Sequence, residues 1–279
     1  MQFADGPAIP FKHPGTKHRE GNIEFKYLLK GQEGSPQNYE LSVTKTTGRF
    51  YTGAHRHNFD QIRVVLSGNF RDETGRLTLN EGGVAYYPEA TPYDIDSGDT
   101  QVMLLQFGGA SGQGFTHYDK LRSAYPVLAE QGTFKDGVFR WHNPPEGGPK
   151  QQDSYEALWE HIHGKPLTYP KARYRHAVSL NPAGLEWIST PEPGVQVREF
   201  GCFSERHIVA AQVRVEAGAQ AQLRSPDTIR IFYVLEGTGQ VGDHALKSGC
   251  AFELVTGAEV TVSATDTLVL MDLHLPRFG

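Results

Sequence analysis

The sequence predicts an all-β protein, two β domains joined by a helical connector, and three observations carry that prediction. Short runs rich in Val, Leu, Tyr and Phe, bounded by turn residues, fill two separate regions of the chain. The 279 residues include 31 glycines and 17 prolines, a load suited to a turn-rich β protein rather than a helical bundle. Between the two regions the apolar spacing becomes that of an amphipathic helix.

In the first region, 39–45, 61–66, 83–87 and 101–107 read as strands, with turn signals at Ser67-Gly68-Asn69 and Asp72-Glu73-Thr74-Gly75. In the second, 196–200, 208–215, 230–235, 250–254, 260–263 and 268–273 repeat the texture, punctuated by Gly201, Gly218, Gly237, Gly242 and Gly249. Short strands at regular spacing close into a sandwich or barrel in each region. In the connector, 153–164 places Tyr155, Leu158, Trp159 and Ile162 on one helical face. Asp153 can cap its start, Glu156 follows as in a capping box, and Gly164 can end it. A weaker helical stretch covers 116–124, a second short helix can start at Pro126, and 143–152 reads as loop. The expected domains are a first barrel over 1–112, a helical connector over 113–172 and a second barrel over 173–279.

Composition narrows the function classes. Hydrophobic residues make up 38% and charged residues 21%, which supplies a core and rules out a disordered chain. The net charge of −5 argues against a nucleic-acid or anionic-membrane surface. No apolar run is long enough to span a bilayer, and the first fifteen residues lack a signal-peptide pattern, so a soluble, cytoplasmic protein is expected. The two cysteines, Cys202 and Cys250, lie far apart and read as buried packing residues, which excludes a cysteine-type zinc site.

The candidate chemistry lies in 51–68, YTGAHRHNFDQIRVVLSG. Residues of equal parity share a strand face, so His55, His57, Gln61 and Arg63 can point the same way. Two imidazoles so placed can reach one divalent ion, with iron, zinc, nickel and copper all suited to nitrogen ligands. The competing reading is a pair of solvent-facing histidines at a strand end. Arg63 either meets an anionic substrate in the lumen or, if the strand twists, reaches solvent or pairs with Asp94 or Asp96. Phe59, Tyr86, Tyr87 and Phe107 can line a pocket or pack the core. His161 and His163 cannot chelate one ion, because residues two apart on a helix face about 200° apart. His117 follows the last strand of the first region closely enough to approach its mouth.

The spacing His55-Arg56-His57, three residues, Gln61, six residues, Gly68 resembles the first motif of the cupin superfamily, with Gln61 where the family has glutamate. Gly82, Pro88-Glu89-Ala90, Tyr93 and Ser97 fall at the spacings of its second motif, with Ala90, Tyr93 and Ser97 replacing glycine, histidine and asparagine. Gly218, Arg224-Ser225-Pro226, Arg230 and Gly237, then Gly249, Gly257 and Val260, repeat both motifs with every metal ligand lost. The chain thus resembles a bicupin: two tandem antiparallel β-barrels of the double-stranded β-helix, jelly-roll type.

The resemblance implies a metal-dependent enzyme acting on a small, anionic or aromatic organic substrate, with dioxygenase-like oxidoreductase chemistry the first expectation. One divalent transition metal, iron first and zinc, nickel, manganese or copper next, would sit on His55, His57, Gln61 and Tyr93. Tyr93 and Gln61 would serve catalysis by completing or tuning the metal, while Arg63, Phe59 and Tyr87 would bind substrate. Gln61 is a weaker donor than a carboxylate, and Tyr93 ligates well only as phenolate. The alternatives are a metal-free or non-enzymatic small-molecule-binding bicupin and a metal-assisted isomerase, lyase or cyclase. Arg224 and Arg230 in the second barrel either bind an acid or are neutralised by carboxylates such as Glu253. A homodimer is expected from open sheet edges.

Overall fold

A computed structural model describes residues 1–14, 20–72, 77–144 and 146–278. They form two compact units, Phe11–Phe25 with Gln32–Ser179, and Met1–Pro10 with Lys26–Gly31 and Leu180–Gly279. The segment after the first barrel therefore belongs to the first unit, and the first ten residues to the second. Among the described residues no helix is long and apolar enough to cross a membrane.

The first unit is built around one long strand, β1 (Tyr39–His55). Its first half pairs antiparallel with Thr100–Phe107 (β5), from Tyr39 opposite Phe107 to Thr46 opposite Thr100. Its second half pairs with Tyr93–Ser97 (β4), placing Phe50 opposite Ser97 and His55 opposite Tyr93. Between the halves, Gly48 takes φ 70° and its N–H donates to Asp99 Oδ1 at 2.6 Å. One strand thereby turns from one wall of the barrel into another. Asp60–Arg71 (β2) lies between β5 and Val84–Tyr87 (β3), with Gln61 opposite both Gln106 and Tyr87.

Gly68 does not end a strand as its turn signal predicts. It lies inside β2 at φ 78°, beside a register shift between Val65 and Ser67. A Cβ there would collide with the Asp99 carbonyl oxygen. The bulge bends the strand without breaking it. Of the second turn signal, residues 73–75 lie outside the described residues.

The connector is only partly helical. The capped helix is present as α2 (Ser154–His163), with Asp153 Oδ1 accepting from Tyr155 and Glu156 N–H and Gly164 at φ 63°. The two shorter helices expected before it are one, α1 (Tyr118–Ala129), running through Pro126. Burial of Leu121, Ala124 and Leu128 on one face outweighs the hydrogen bond that proline removes. Between the helices lie three short antiparallel strands, Gly132–Lys135 (β6), Val138–Trp141 (β7) and Gln151–Asp153 (β8). Asp136 and Gly137, at φ 54° and 76°, turn the first hairpin. Part of the expected 143–152 loop is therefore strand.

The second unit stacks a seven-stranded sheet on a four-stranded one. Val195–Cys202 (β9), Val209–Val215 (β10), Arg230–Glu236 (β12), Ala251–Leu254 (β13) and Leu268–His274 (β15) lie in the larger sheet. Gln220–Ser225 (β11) and Ala258–Ala264 (β14) lie in the smaller. Val213, Val215, Phe232, Val234, Leu223 and Val262 fill the space between them. Gly237 repeats the Gly68 device: φ 83°, a register shift between Val234 and Glu236, and no room for a Cβ against the Thr267 carbonyl. Cys250 is buried as expected, whereas Cys202, at the end of β9, is exposed.

Gly68→Ala and Gly237→Ala are each expected to destabilise the protein by more than about 2 kcal/mol in urea denaturation, from left-handed backbone plus a backbone clash. Gly48→Ala, with open space at its Cβ position, should cost only the backbone part, about 1 kcal/mol.

Candidate functional site

A cavity of about 780 Å³ opens within the first unit. Strand parity delivers Phe50 and Thr52 from β1, Tyr93, Ile95 and Ser97 from β4, and Arg63 from β2 to its wall, and the register shift between Thr52 and His55 brings His55 to the same wall. The β6–β7 hairpin adds Phe134, Lys135 and Asp136, and α2 adds Tyr155.

His57, Gln61, Arg63 and Tyr93 meet in one hydrogen-bonded cluster. Arg63 Nε and Nη2 both donate to Gln61 Oε1, at 3.2 and 2.7 Å. A guanidinium can only donate, so the Gln61 carbonyl must face Arg63 and its NH2 group the other way. Gln61 Nε2 lies 2.8 Å from Tyr93 Oη and 3.0 Å from His57 Nδ1. Tyr93 Oη is itself 3.0 Å from His57 Nδ1. Every proton in this chain is aimed at His57 Nδ1, which therefore accepts and leaves the ring proton on Nε2. His55 has the opposite arrangement: its Nδ1 lies 2.7 Å from the Gly53 carbonyl, which can only accept.

Arg63 is held by aromatic faces and not by a carboxylate. Its guanidinium carbon lies 4.5 Å from the Tyr87 ring centroid, 5.0 Å from Phe70 and 5.2 Å from Tyr93. Asp96, a possible partner from sequence, is taken by Arg49 at 2.9 and 3.0 Å. Among the described residues no carboxylate comes within ion-pair distance of Arg63, and its Nη1 has no hydrogen-bond partner.

Neither Tyr87 nor Phe59, both expected at a substrate, lines this cavity. Tyr87 shares the face of Gln61 but is buried beneath the Arg63 guanidinium, and it does not line the cavity. Phe59 lies in the turn between β1 and β2, where strand parity no longer sets direction. It stacks on His57 at 4.5 Å and joins the α1–α2 core cluster. His117 does not reach the mouth: its ring nitrogens meet Glu33 at 2.9 Å and the Tyr39 carbonyl at 3.2 Å.

No protein-family model matches the sequence, and no curated protein matches it. Solved structures do. A candidate dioxygenase from Nostoc punctiforme superposes with a TM-score of 0.64 at 12% identity, covering 99% of this chain and 83% of that one. The oxalate decarboxylase of Lactobacillus farciminis, in its formate complex, gives 0.59 at 14% identity, covering 99% and 86%. A variant of the Bacillus subtilis oxalate decarboxylase gives 0.58 at 15% identity, covering 100% and 78%. The chain has the bicupin fold.

The donors of this site do not fit the divalent ion that the motif resemblance implies. Gln61 turns N–H groups, not its oxygen, toward the cluster, and the His57 lone pair is already accepting. The Arg63 guanidinium, bonded to Gln61 Oε1, repels a cation. Among the described residues no group of three His, Cys, Asp or Glu side chains converges on one point.

In the second barrel Arg224 is outside the lumen. It is exposed on the outer face of β11 and pairs with Glu259 at 3.3 Å. Arg230 is neutralised by Asp272, with contacts of 2.5 and 3.1 Å, and His274 adds a contact to Asp272 at 3.3 Å. Burial pushes the Asp272 carboxyl up, but its bonds to His274 and Arg230 outweigh burial and hold it below the usual range.

Sequence reasoning missed two groups beside the site. Tyr155 packs edge-on to His57 at 4.8 Å and donates to Asn58 Oδ1 at 2.8 Å, although its helical spacing reads simply as core. Behind β2 and β3, buried Asp60 accepts from Glu89 N–H at 2.6 Å and Tyr86 Oη at 2.9 Å. Glu89 in turn accepts from Ser111 Oγ at 2.6 Å and Arg173 at 2.7 Å. No local pattern marks these partners, which lie up to 84 residues apart.

Burial, with the Glu89 charge adding, raises the Asp60 carboxyl from 3.8 to about 7. The folded chain therefore keeps a proton that the unfolded chain releases, so this contribution to stability is full below pH 4 and is lost as pH rises to about 7. Asp60→Asn mimics the protonated acid. In urea denaturation, the stability of wild type relative to this variant should fall steadily between pH 4 and about 7.

Proposed function

We propose that the first barrel binds a small organic acid through Arg63, without a divalent ion. One observation carries this reading: a guanidinium only 7% exposed lines the cavity with no carboxylate partner among the described residues. Three aromatic faces offset part of the cost of burying that charge, and a ligand carboxylate would offset the rest through charge-assisted hydrogen bonds to Nη1. Tyr93 and His57 extend the same hydrogen-bonded chain, so the acid would bind beside a proton-bearing His57 Nε2. The apolar wall of Phe50, Phe70, Ile95 and Val102 suits a hydrocarbon or aromatic body.

A second reading is a metal-dependent oxidoreductase of dioxygenase type. It is favoured by His55 and His57 on the cavity wall and by the likeness to a candidate dioxygenase. Elemental analysis of purified protein beside a His55→Ala/His57→Ala variant separates the two. The proposal expects trace metal in both. Near-stoichiometric iron, zinc, nickel, copper or manganese that disappears in the variant would overturn it. In calorimetry, Arg63→Gln should weaken benzoate or hexanoate binding by at least about tenfold, the scale of a charge-assisted hydrogen bond.

A further inference from the structure

In the second unit, Val195, Val197, Val213 and Val215 turn toward the core, so Gln196, Arg198, Gln212 and Arg214 lie on the outer face of the larger sheet. Register sets Gln196 opposite Arg214 and Arg198 opposite Gln212, which makes the two arginines diagonal neighbours. Trp187 precedes the edge strand Ile188–Ser189, whose Ile188 pairs with Val197. The Trp187 ring centroid lies 4.2 Å from the Arg198 guanidinium carbon and 4.6 Å from that of Arg214, so the two cations are no more than about 9 Å apart.

Neither guanidinium forms an ion pair among the described residues. Arg198 Nη1 donates to Gln212 Oε1 at 3.3 Å, and Arg214 Nε and Nη2 both donate to Gln196 Oε1, the first at 2.8 Å. Both glutamines give their carbonyl oxygen to an arginine, so the four side chains turn only N–H donors to their surroundings. Val269 and Met271 stand beside Arg214 and Gln212 on the next strand, and Glu236, the first carboxylate along that row, is about 10 Å from Arg214 at strand spacing. Arg198 Nε is sealed without a partner, but Arg198 Nη2 and Arg214 Nη1, which have none either, are open to solvent. Burial, with the Arg214 charge adding, pulls the Arg198 guanidinium below its ordinary range.

We propose that this patch binds a dianionic phosphate group, held by Arg198 and Arg214 together. Two adjacent cations are matched by two negative charges, which a phosphate monoester approaches at neutral pH and a single carboxylate does not. Contacts of about 2.8 Å from each guanidinium to a tetrahedral head span the gap between them, whereas the two oxygens of one carboxylate match a single arginine fork. The indole holds both guanidiniums beside it, so less side-chain freedom is lost on binding. One arginine pair on a chain of net charge −5 suits a small phosphorylated molecule rather than a nucleic acid. The site lies in the other unit from Arg63 and does not depend on how the first barrel is used.

The test is calorimetry at fixed ionic strength and pH about 7.5, where a phosphate monoester is a dianion, with phenyl phosphate and inorganic phosphate as probes. Wild type should bind phenyl phosphate saturably, and Arg198→Gln/Arg214→Gln should weaken that binding by at least about tenfold, the scale of a charge-assisted hydrogen bond. Tryptophan emission of the wild type should change on binding, and Trp187→Phe should lose that change, which locates the ligand without removing either arginine. Phenyl phosphate could also enter the first barrel, so Arg63→Gln is titrated alongside and should bind it as tightly as wild type. Tighter binding of phenyl phosphate than of inorganic phosphate places the group on an organic carrier, and equal binding assigns the site to the free anion. No saturable binding by wild type, binding that survives the double variant, or binding lost in Arg63→Gln overturns the proposal.

Discussion

Arg63 meets Gln61 with two donors on one oxygen, and the direction of every other hydrogen bond in the site follows from that contact. With the Gln61 carbonyl held, its NH2 group must face Tyr93 and His57, and the lone pair of His57 is spent accepting. A carboxylate at position 61 would instead neutralise the guanidinium and offer a charged oxygen to a cation. The amide does neither. It leaves a buried positive charge facing a cavity, and such a charge selects anions.

The fold holds this cluster through a few backbone positions, one of which, the Gly68 bulge, recurs in the second unit. Gly68 and Gly237 let a strand bulge against a neighbouring carbonyl, and Gly48 lets one strand serve two walls of the first barrel. Ala90 adopts φ 64° at a place where the frame has glycine, and its N–H donates to the His57 carbonyl at 2.7 Å. That bond ties the turn after β3 to the turn carrying His57, so the ring is positioned from both sides. The second barrel keeps the frame and closes its own charge account, Arg230 against Asp272.

How much was legible in the sequence depends on the range of the interaction. Alternation along a strand is local, and within β2 it puts Gln61 and Arg63 on one face, whereas His57 meets them from the turn before that strand. Motif spacing added Tyr93 from the facing strand, which the structure brings to 3.0 Å from His57. Where the chain leaves strand geometry, parity fails, as at Phe59. Gln61 could be named but its amide direction could not, because that depends on where a neighbouring guanidinium ends. Tyr87 shows the same limit: its face is right, but the Arg63 side chain lies over it. The β6–β7–β8 sheet, with strands of three or four residues, leaves little apolar pattern beyond Asp136-Gly137.

The direction of the hydrogen-bonded chain is accessible to nitrogen NMR of the His57 ring in protein labelled at imidazole nitrogen. An unprotonated Nδ1 and a protonated Nε2 are expected, unchanged when zinc or ferrous iron is added. A protonated Nδ1, or a ring nitrogen that shifts on stoichiometric addition of either metal, would contradict it.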